Sequence, residues 1–327
     1  MSKQLSRLWD LLQRNIPWVV LVIVCAGFSL ITDNFFSLRN ILNILNQNAY
    51  VIIAALGITP IMMSGQTDLS GGQQMAILGV VSGIMLTRTA MPVPLIFVAT
   101  ILIGIALNFM NAIIAFKLDL SLFIVSLATM NIFMGTSYTI SGAGVINFLP
   151  ESFKFLGQGF IGPVPFPVIL AGVFFLIMNF FLTRTYWGRY IYALGGNTEA
   201  ARLAGINVLG VRMMIAAICG FFLALSSLML IARLGLAQST AGPGTEFTVI
   251  TAVLVGGVSL RGGEGKLHCV LAGVFIMAVF ANGMQLANMG VYTQYIAKGI
   301  IMILAIAFDA FQYKRRQKLK GNRREVA

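Results

Sequence analysis

The chain has 327 residues, 58% of them hydrophobic and 10% charged, with a formal net charge of +12 and a mean hydropathy of +0.90. Soluble domains carry about 25% charged residues, so this composition excludes an ordinary water-soluble globule and points to the bilayer as solvent. The densest positive run, Lys314, Arg315, Arg316, Lys318, Lys320, Arg323 and Arg324, directly follows an apolar stretch. That placement suits an anchor beside anionic lipid and argues against nucleic-acid binding.

At the N-terminus Lys3, Arg7 and Arg14 precede an apolar run from Ile16 to Ile31. No small-x-small cleavage pattern follows, so the run reads as a retained first span and not a signal peptide. Residues 37–46 place Leu38, Ile41, Leu42 and Leu45 at helical spacing, with Asn40, Asn43 and Asn46 on another face. They predict a short helix lying at the membrane surface and leading into the second span. A helix needs about 20 apolar residues to cross the hydrocarbon core. On that criterion ten spans are expected, at 16–32, 45–64, 71–88, 92–116, 120–141, 163–183, 211–234, 245–260, 266–286 and 292–312. Glycine and polar residues interrupt the second and the eighth. The fold class is therefore all-α, a polytopic membrane protein built as one transmembrane domain over 1–327, with a basic tail at 313–327.

Lysine and arginine in short loops set orientation. With the N-terminus inside, seventeen basic residues fall on the inner side and four on the outer. An even number of spans then places both termini in the cytoplasm. Two connections are long enough to fold, an outer one at 142–162 and an inner one at 184–210.

The inner loop contains Gly195-Gly196-Asn197-Thr198-Glu199-Ala200-Ala201-Arg202-Leu203-Ala204-Gly205. Asn197 or Thr198 can cap a helix, and Glu199 in the first turn complements its dipole. Ala200 and Ala201 propagate it, Arg202 suits the last turn, and Gly205 suits the left-handed C′ position. The expectation is a two-turn helix of about 10 Å. By spacing alone it is equally a plain connector or an element shaped for a partner's groove.

Polar residues elsewhere carry little chemistry. Asp68-Leu69-Ser70-Gly71-Gly72 and Ser259-Leu260-Arg261-Gly262-Gly263 look alike, each ending one span and preceding another, as an internal duplication or two tight turns would give. The Gly262-Gly263-Glu264-Gly265-Lys266-Leu267 stretch lacks the first glycine and the Ser/Thr of a phosphate loop, so ATP phosphates have no cradle in this sequence. The amides Asn108, Asn111, Asn131, Asn179 and Asn282 suit helix–helix hydrogen bonds or sugar hydroxyls. Gly79 and Gly83 form a G-x-x-x-G pair that favours close helix approach. Lys298 is the clear ionisable residue inside a span and thereby a functional candidate, with a stem long enough to reach the interface. Asp309 is expected to be solvated near the inner end. Cys25, Cys219 and Cys269 have no metal-ligand spacing and read as small buried hydrophobes. The sequence offers no triad, acid pair or metal cluster, so neither catalysis nor a bound metal is expected.

Residues 195–208 resemble the coupling segment of the sugar permeases of ATP-binding-cassette importers, the group handling ribose, xylose, arabinose and galactose. Three further stretches are similar to that family, in the family's order. They are Ser64-Gly65-Gln66-Thr67-Asp68-Leu69-Ser70-Gly71-Gly72, Phe123-Ile124-Val125-Ser126-Leu127-Ala128-Thr129-Met130, and Gly242-Pro243-Gly244 with the Leu254–Gly265 segment. The departures are Gln66-Thr67, where the family has Gly-Ile or similar, and Gly71 in place of Val. The resemblance implies a bacterial inner-membrane permease for a monosaccharide. Its coupling residues would be Asn197, Glu199, Ala200, Ala201, Arg202 and Gly205. Candidate path residues are Gln66, Asp68, Ser70, Asn131 and Lys298. The implied partners are a second permease subunit, identical or not, a cytosolic ATPase that carries the ATP and Mg²⁺, a periplasmic sugar-binding protein and membrane lipid. Two rivals stand beside this reading, a branched-chain amino-acid permease of the same type and an ion-coupled secondary carrier. The lack of intramembrane acid pairs counts against the carrier.

Overall fold

The computed structural model describes residues 15–32 and 34–325, so Lys3, Arg7 and Arg14 lie outside the described residues, as do the side chains of 312, 313 and 315–325. Among the described residues there are thirteen helices. In chain order they are α1 (Ile16–Ile31), α2 (Leu38–Met63), α3 (Gly71–Arg88), α4 (Val93–Lys117), α5 (Leu122–Ser141), α6 (Glu151–Gln158), α7 (Phe166–Arg184), α8 (Tyr186–Gly196), α9 (Thr198–Leu203), α10 (Val208–Leu234), α11 (Thr245–Val255), α12 (Leu267–Leu286) and α13 (Val291–Glu325). A two-residue hairpin, β1 (Phe160–Ile161) with β2 (Val164–Pro165), joins α6 to α7.

Seven of these helices are long and apolar enough to cross a membrane: α2, α4, α5, α7, α10, α12 and the Val291–Phe311 part of α13. Every other expected span also contains a helix, but a lesser one. α1 has 16 residues, and α3 reaches 18 residues but carries Gln73, Gln74 and Arg88. The expected span at 245–260 is the largest departure. Its helix stops at Val255 after 11 residues, because Gly256 and Gly257 follow, the latter at φ +82°. At 1.5 Å per residue α11 covers about 16 Å, half the hydrocarbon core.

The separate surface helix expected at 37–46 does not form. Ser37 caps one continuous helix, accepting from the Asn40 backbone N–H at 3.3 Å, and α2 runs unbroken to Met63. Asn40, at its polar start, is partly buried, while Asn43 stays exposed. Asn40 and Asn282 of α12 exchange amide hydrogen bonds at 3.0 Å in both directions.

α10 is the centre of the bundle. Most of its length is buried, and it packs against α2, α3, α4 and α6. Lipid tails are as apolar as leucine, so helices in a bilayer gain by close van der Waals approach through small residues. Gly104 of α4 and Gly220 of α10 meet backbone to backbone. A Cβ at Gly220 would lie 2.4 Å from the Gly104 carbonyl oxygen, and one at Gly104 would lie 2.6 Å from that of Gly220. The Gly79/Gly83 pair works in the same way, against Ile231 and Ala237. Hydroxyls stitch the same surfaces: Ser226 donates to the Tyr50 carbonyl at 2.7 Å and Ser227 to the Met75 carbonyl at 2.6 Å.

Gly220→Leu therefore forces α4 and α10 apart. A loss of about 1–3 kcal/mol or more is expected from overpacking, read as a lowered melting temperature in detergent, whereas Gly172→Leu, at a site with open space around its Cβ position, leaves the melt unchanged.

Candidate functional site

The 184–210 loop folds as α8 and α9, at the end of the bundle where α2, α4 and α7 finish. α9 forms as its code dictates. Asn197 is the cap, its Oδ1 accepting from the Ala200 N–H at 2.9 Å, while the Thr198 hydroxyl turns back to the Leu194 carbonyl at 2.9 Å. Gly205 adopts φ +85°, with Gly205 N–H bonded to the Arg202 carbonyl at 3.0 Å and Ile206 N–H to the Ala201 carbonyl at 3.1 Å. That pair of bonds is a Schellman stop. Arg202 donates to Glu199 across one turn. The hydrogen bond, and then the charge, of Arg202 hold the Glu199 carboxyl below its ordinary range. The pair is thus intact above the usual carboxylate pKa and is lost as pH falls through the lowered value. Ala201 is buried, whereas Glu199, Ala200, Arg202 and Leu203 are exposed. Leu203, which the sequence reading passed over, stands 80% exposed at the tip of α9. Its exposure could not be read from a helix of six residues.

A knot of glycines ties this element to the bundle. A Cβ at Gly195 would fall 2.0 Å from the Met63 carbonyl oxygen and 2.3 Å from the Gly263 nitrogen, and one at Gly262 would fall 2.4 Å from the Gly65 nitrogen. Gly263 N–H also bonds the Met63 carbonyl at 2.8 Å. Three loops, at Gly65, Gly195-Gly196 and Gly262-Gly263, meet through main-chain atoms. Tyr192 of α8 adds a bond from its hydroxyl to the Gly265 carbonyl at 2.9 Å, and burial pushes its pKa above the ordinary phenol range. Asp309, expected to be solvated, is half-buried and accepts from the Leu260 N–H at 3.4 Å, so α13 is tied to the same turn.

Two cavities lie beside α11. The first, about 750 Å³, opens next to α9 and is lined by Gln66, Thr67, Thr198, Arg212, Ile250 and Leu254, among others. The second, about 540 Å³, lies further into the bundle and is lined by Tyr50, Thr245, Thr248, Thr251, Tyr295 and Lys298, among others. The segment leading to α11 enters the bundle as irregular chain. Ala237 pairs with Ile146, and Gly242, at φ +116°, lies against the Gly72 backbone at the start of α3. Non-helical backbone at membrane depth is tolerated where protein or a cavity surrounds it, and Gly242-Pro243-Gly244 lines the second cavity.

The expected path residues separate into groups. Gln66 lines the first cavity and Lys298 the second, where Lys298 lies over the Tyr295 ring at 5.8 Å. Asp68 and Ser70 line neither, but form a buried network. Asp68 Oδ1 accepts from the Ser70 N–H at 2.7 Å and the Ser70 hydroxyl at 2.6 Å; Ser70 Oγ accepts from Gln74 at 2.8 Å and Asn111 at 3.1 Å. Asn108 donates to Gln74 at 2.6 Å. Ser70 begins α3 without capping it, since its hydroxyl is spent on this network. Asn131 is exposed on α5 and bonds the Leu127 carbonyl of its own helix at 3.0 Å, away from both cavities. Gly72 has no room for a side chain, since a Cβ would collide with the buried carboxylate of Glu246.

A polytopic helical bundle with a broken helix lining a cavity, and a capped helix projecting from one end, is the plan of a membrane permease. The chain belongs to the family described as branched-chain amino acid transport system permease component, whose model matches residues 40–306. It is similar to the ribose import permease protein RbsC of Haemophilus influenzae, 35% identical over 298 residues covering 90% of this chain and 92% of that protein. It is also similar to the galactose/methyl galactoside import permease protein MglC of Salmonella typhimurium, 34% identical over 92% of this chain and 95% of that one. The L-arabinose transport system permease protein AraH of Escherichia coli is 32% identical over 97% of this chain and 95% of its own length. No solved structure matches the chain.

Two substitutions test the local chemistry. Asn197→Ala removes the cap of α9 at a cost of about 1 kcal/mol to the helix, read as faster amide exchange confined to 198–205. Asp68→Ala leaves the Ser70 N–H buried without its acceptor, a loss of about 1–3 kcal/mol that thermal unfolding in detergent measures.

Proposed function

We propose that the chain is the transmembrane subunit of an ATP-binding-cassette importer that passes a monosaccharide, pentose or hexose, across the bacterial inner membrane. The observation that carries this reading is α9, a capped and exposed helix whose Thr198 lines the first cavity while its backbone neighbour Gly195 is wedged against Met63 and Gly263. A partner pushing on α9 acts directly on the cavity wall. ATP and Mg²⁺ belong to a separate cytosolic ATPase that seats on the exposed Glu199, Ala200, Arg202 and Leu203 surface.

The names of the relatives, ribose, galactose and arabinose permeases, support a sugar over a branched-chain amino acid. So does the second cavity. Its volume lies within the usual 300–1,000 Å³ of small-ligand sites, and its hydroxyls, aromatic rings and Lys298 suit a neutral polyol. Both termini are cytoplasmic in this reading, by the basic-residue asymmetry. Ten crossings result if α1 and α3 traverse and if the irregular 235–244 segment and α11 together make one broken span. Outside, a periplasmic binding protein delivers the sugar. Only 6% of the Val291–Phe311 window of α13 is buried within the chain, a face left for a second permease subunit or lipid. When ATP closes the ATPase pair, the coupling helices of the two permeases move and the path exchanges its open side.

Pull-down of the tagged chain from native membranes in mild detergent should recover a P-loop ATPase. Glu199→Lys should lose it, and Gly205→Pro should uncouple uptake while the protein remains inserted at normal levels. Normal uptake in both variants removes α9 from the mechanism. In competition assays, unlabelled sugars should suppress uptake and leucine should not.

A further inference from the structure

We infer that Phe247 of α11 and Met302 of α13 form the constriction that separates the two cavities, with Phe247 as the fixed jaw and Met302 as the moving one. The inference rests on the transport reading above and assigns the gate within it. Phe247 and Met302 each line both cavities, so they stand at the partition between them. α11 presents a different chemistry to either side. Thr245, Thr248 and Thr251, three apart, line the second cavity; Ile250 and Leu254, four apart, line the first. Phe247 falls between these stripes and is 43% exposed.

The threonine side can exchange hydrogen bonds with a sugar, and the Ile/Leu side cannot. A sugar crossing the partition exchanges the threonine face of α11 for its Ile250/Leu254 face, opposite the Gln66, Thr67, Thr198 and Arg212 wall of the first cavity. Large apolar side chains at a narrowing also exclude water and small polyols, since neither can be hydrogen-bonded there.

The difference in mobility between the jaws comes from packing. The back of α11 is locked onto α12: a Cβ at Gly273 would lie 2.0 Å from the Ala252 carbonyl, and one at Gly256 would lie 2.6 Å from Val270 Cα. α13 has no such lock. Its main packing partner among the described elements is α11. It is also tied to the Ser259–Gly263 turn by Asp309. That turn is the one wedged against Gly195, next to α9. Displacement of α9 therefore has a covalent and hydrogen-bonded route to α13, and through it to Met302.

The test uses the complete transporter, permease with its ATPase, in proteoliposomes. Phe247→Ala and Met302→Ala are expected to raise nucleotide-independent leak of xylitol by about tenfold, the rate change for roughly 1.4 kcal/mol of barrier. Phe247→Trp is expected to abolish ATP-driven sugar uptake while ATPase binding and hydrolysis persist. Xylitol leak reports on the partition whatever the true substrate is, so a wild-type protein that imports no sugar would sink the transport reading without deciding the gate. Assembled Ala variants with wild-type leak, or a Trp variant with wild-type uptake, would overturn the gate. Thr248→Val should weaken sugar uptake without raising leak; a rise in leak instead would place the partition at the threonine stripe and equally overturn it.

Discussion

The contact between Gly104 and Gly220 sets the distance at which every other part of the bundle must fit. In a bilayer, apolar surface gains nothing by leaving lipid for protein, and cohesion comes from atoms brought very close. Main chain on main chain is the closest approach two helices can make. Once α4 and α10 are so joined, α3 fits beside them through Gly79 and Gly83, and α2 through Gly57, whose Cβ would meet Phe222 at 2.9 Å. The polar network at Ser70 then falls within reach of Asn111 and Gln74. A wider crossing would leave those amides buried and unpaired.

Polar groups in this chain do structural work before they do chemistry. Asp68, Ser70, Gln74, Asn108 and Asn111 bond one another across α3, α4 and the turn that precedes them, and Asn40 with Asn282 joins α2 to α12. The first set leaves Asp68 Oδ2 and Asn111 Oδ1 buried without a protein partner, and none of these residues lines either cavity. The groups that face a solute are Thr245, Thr248, Tyr295 and Lys298, which are partly or largely exposed beside the second cavity, while Thr251 lines it from a buried position with its hydroxyl bonded to the Phe247 carbonyl.

Local features were legible in the sequence where local forces decide them. The cap at Asn197, the ion pair of Glu199 with Arg202 and the left-handed Gly205 follow from residues within one turn of each other. The apolar runs marked a helix at each of the ten expected places, seven of them long and apolar enough to cross a membrane, because apolar composition alone marks a lipid-facing helix. Three things were hidden. Leu38 to Met63 forms one helix despite Pro60 near its end, and the pairing of Asn40 with a residue 242 positions away ties its polar start to α12. Gly256-Gly257 ends α11 early, which hydropathy averaging over 245–260 conceals. The positions of Asp68 and Asn131 relative to the cavities depend on tertiary packing, so the path residues were legible only as a set that mixed scaffold with wall.

The meeting of Gly65, Gly195 and Gly262 has a consequence for anyone who exchanges parts between permeases. Because the three loops touch through main-chain atoms, the 184–210 segment is not a free-standing adaptor that can be cut out and replaced. Its shape is shared with two other stretches of chain far away in sequence. A chimera that imports the 184–210 segment of another permease would need matching glycines at all three places. Carried alone, a loop with any side chain at position 195 would hold the end of α2 and the turn before α12 apart, and the graft would distort the bundle it was meant to join.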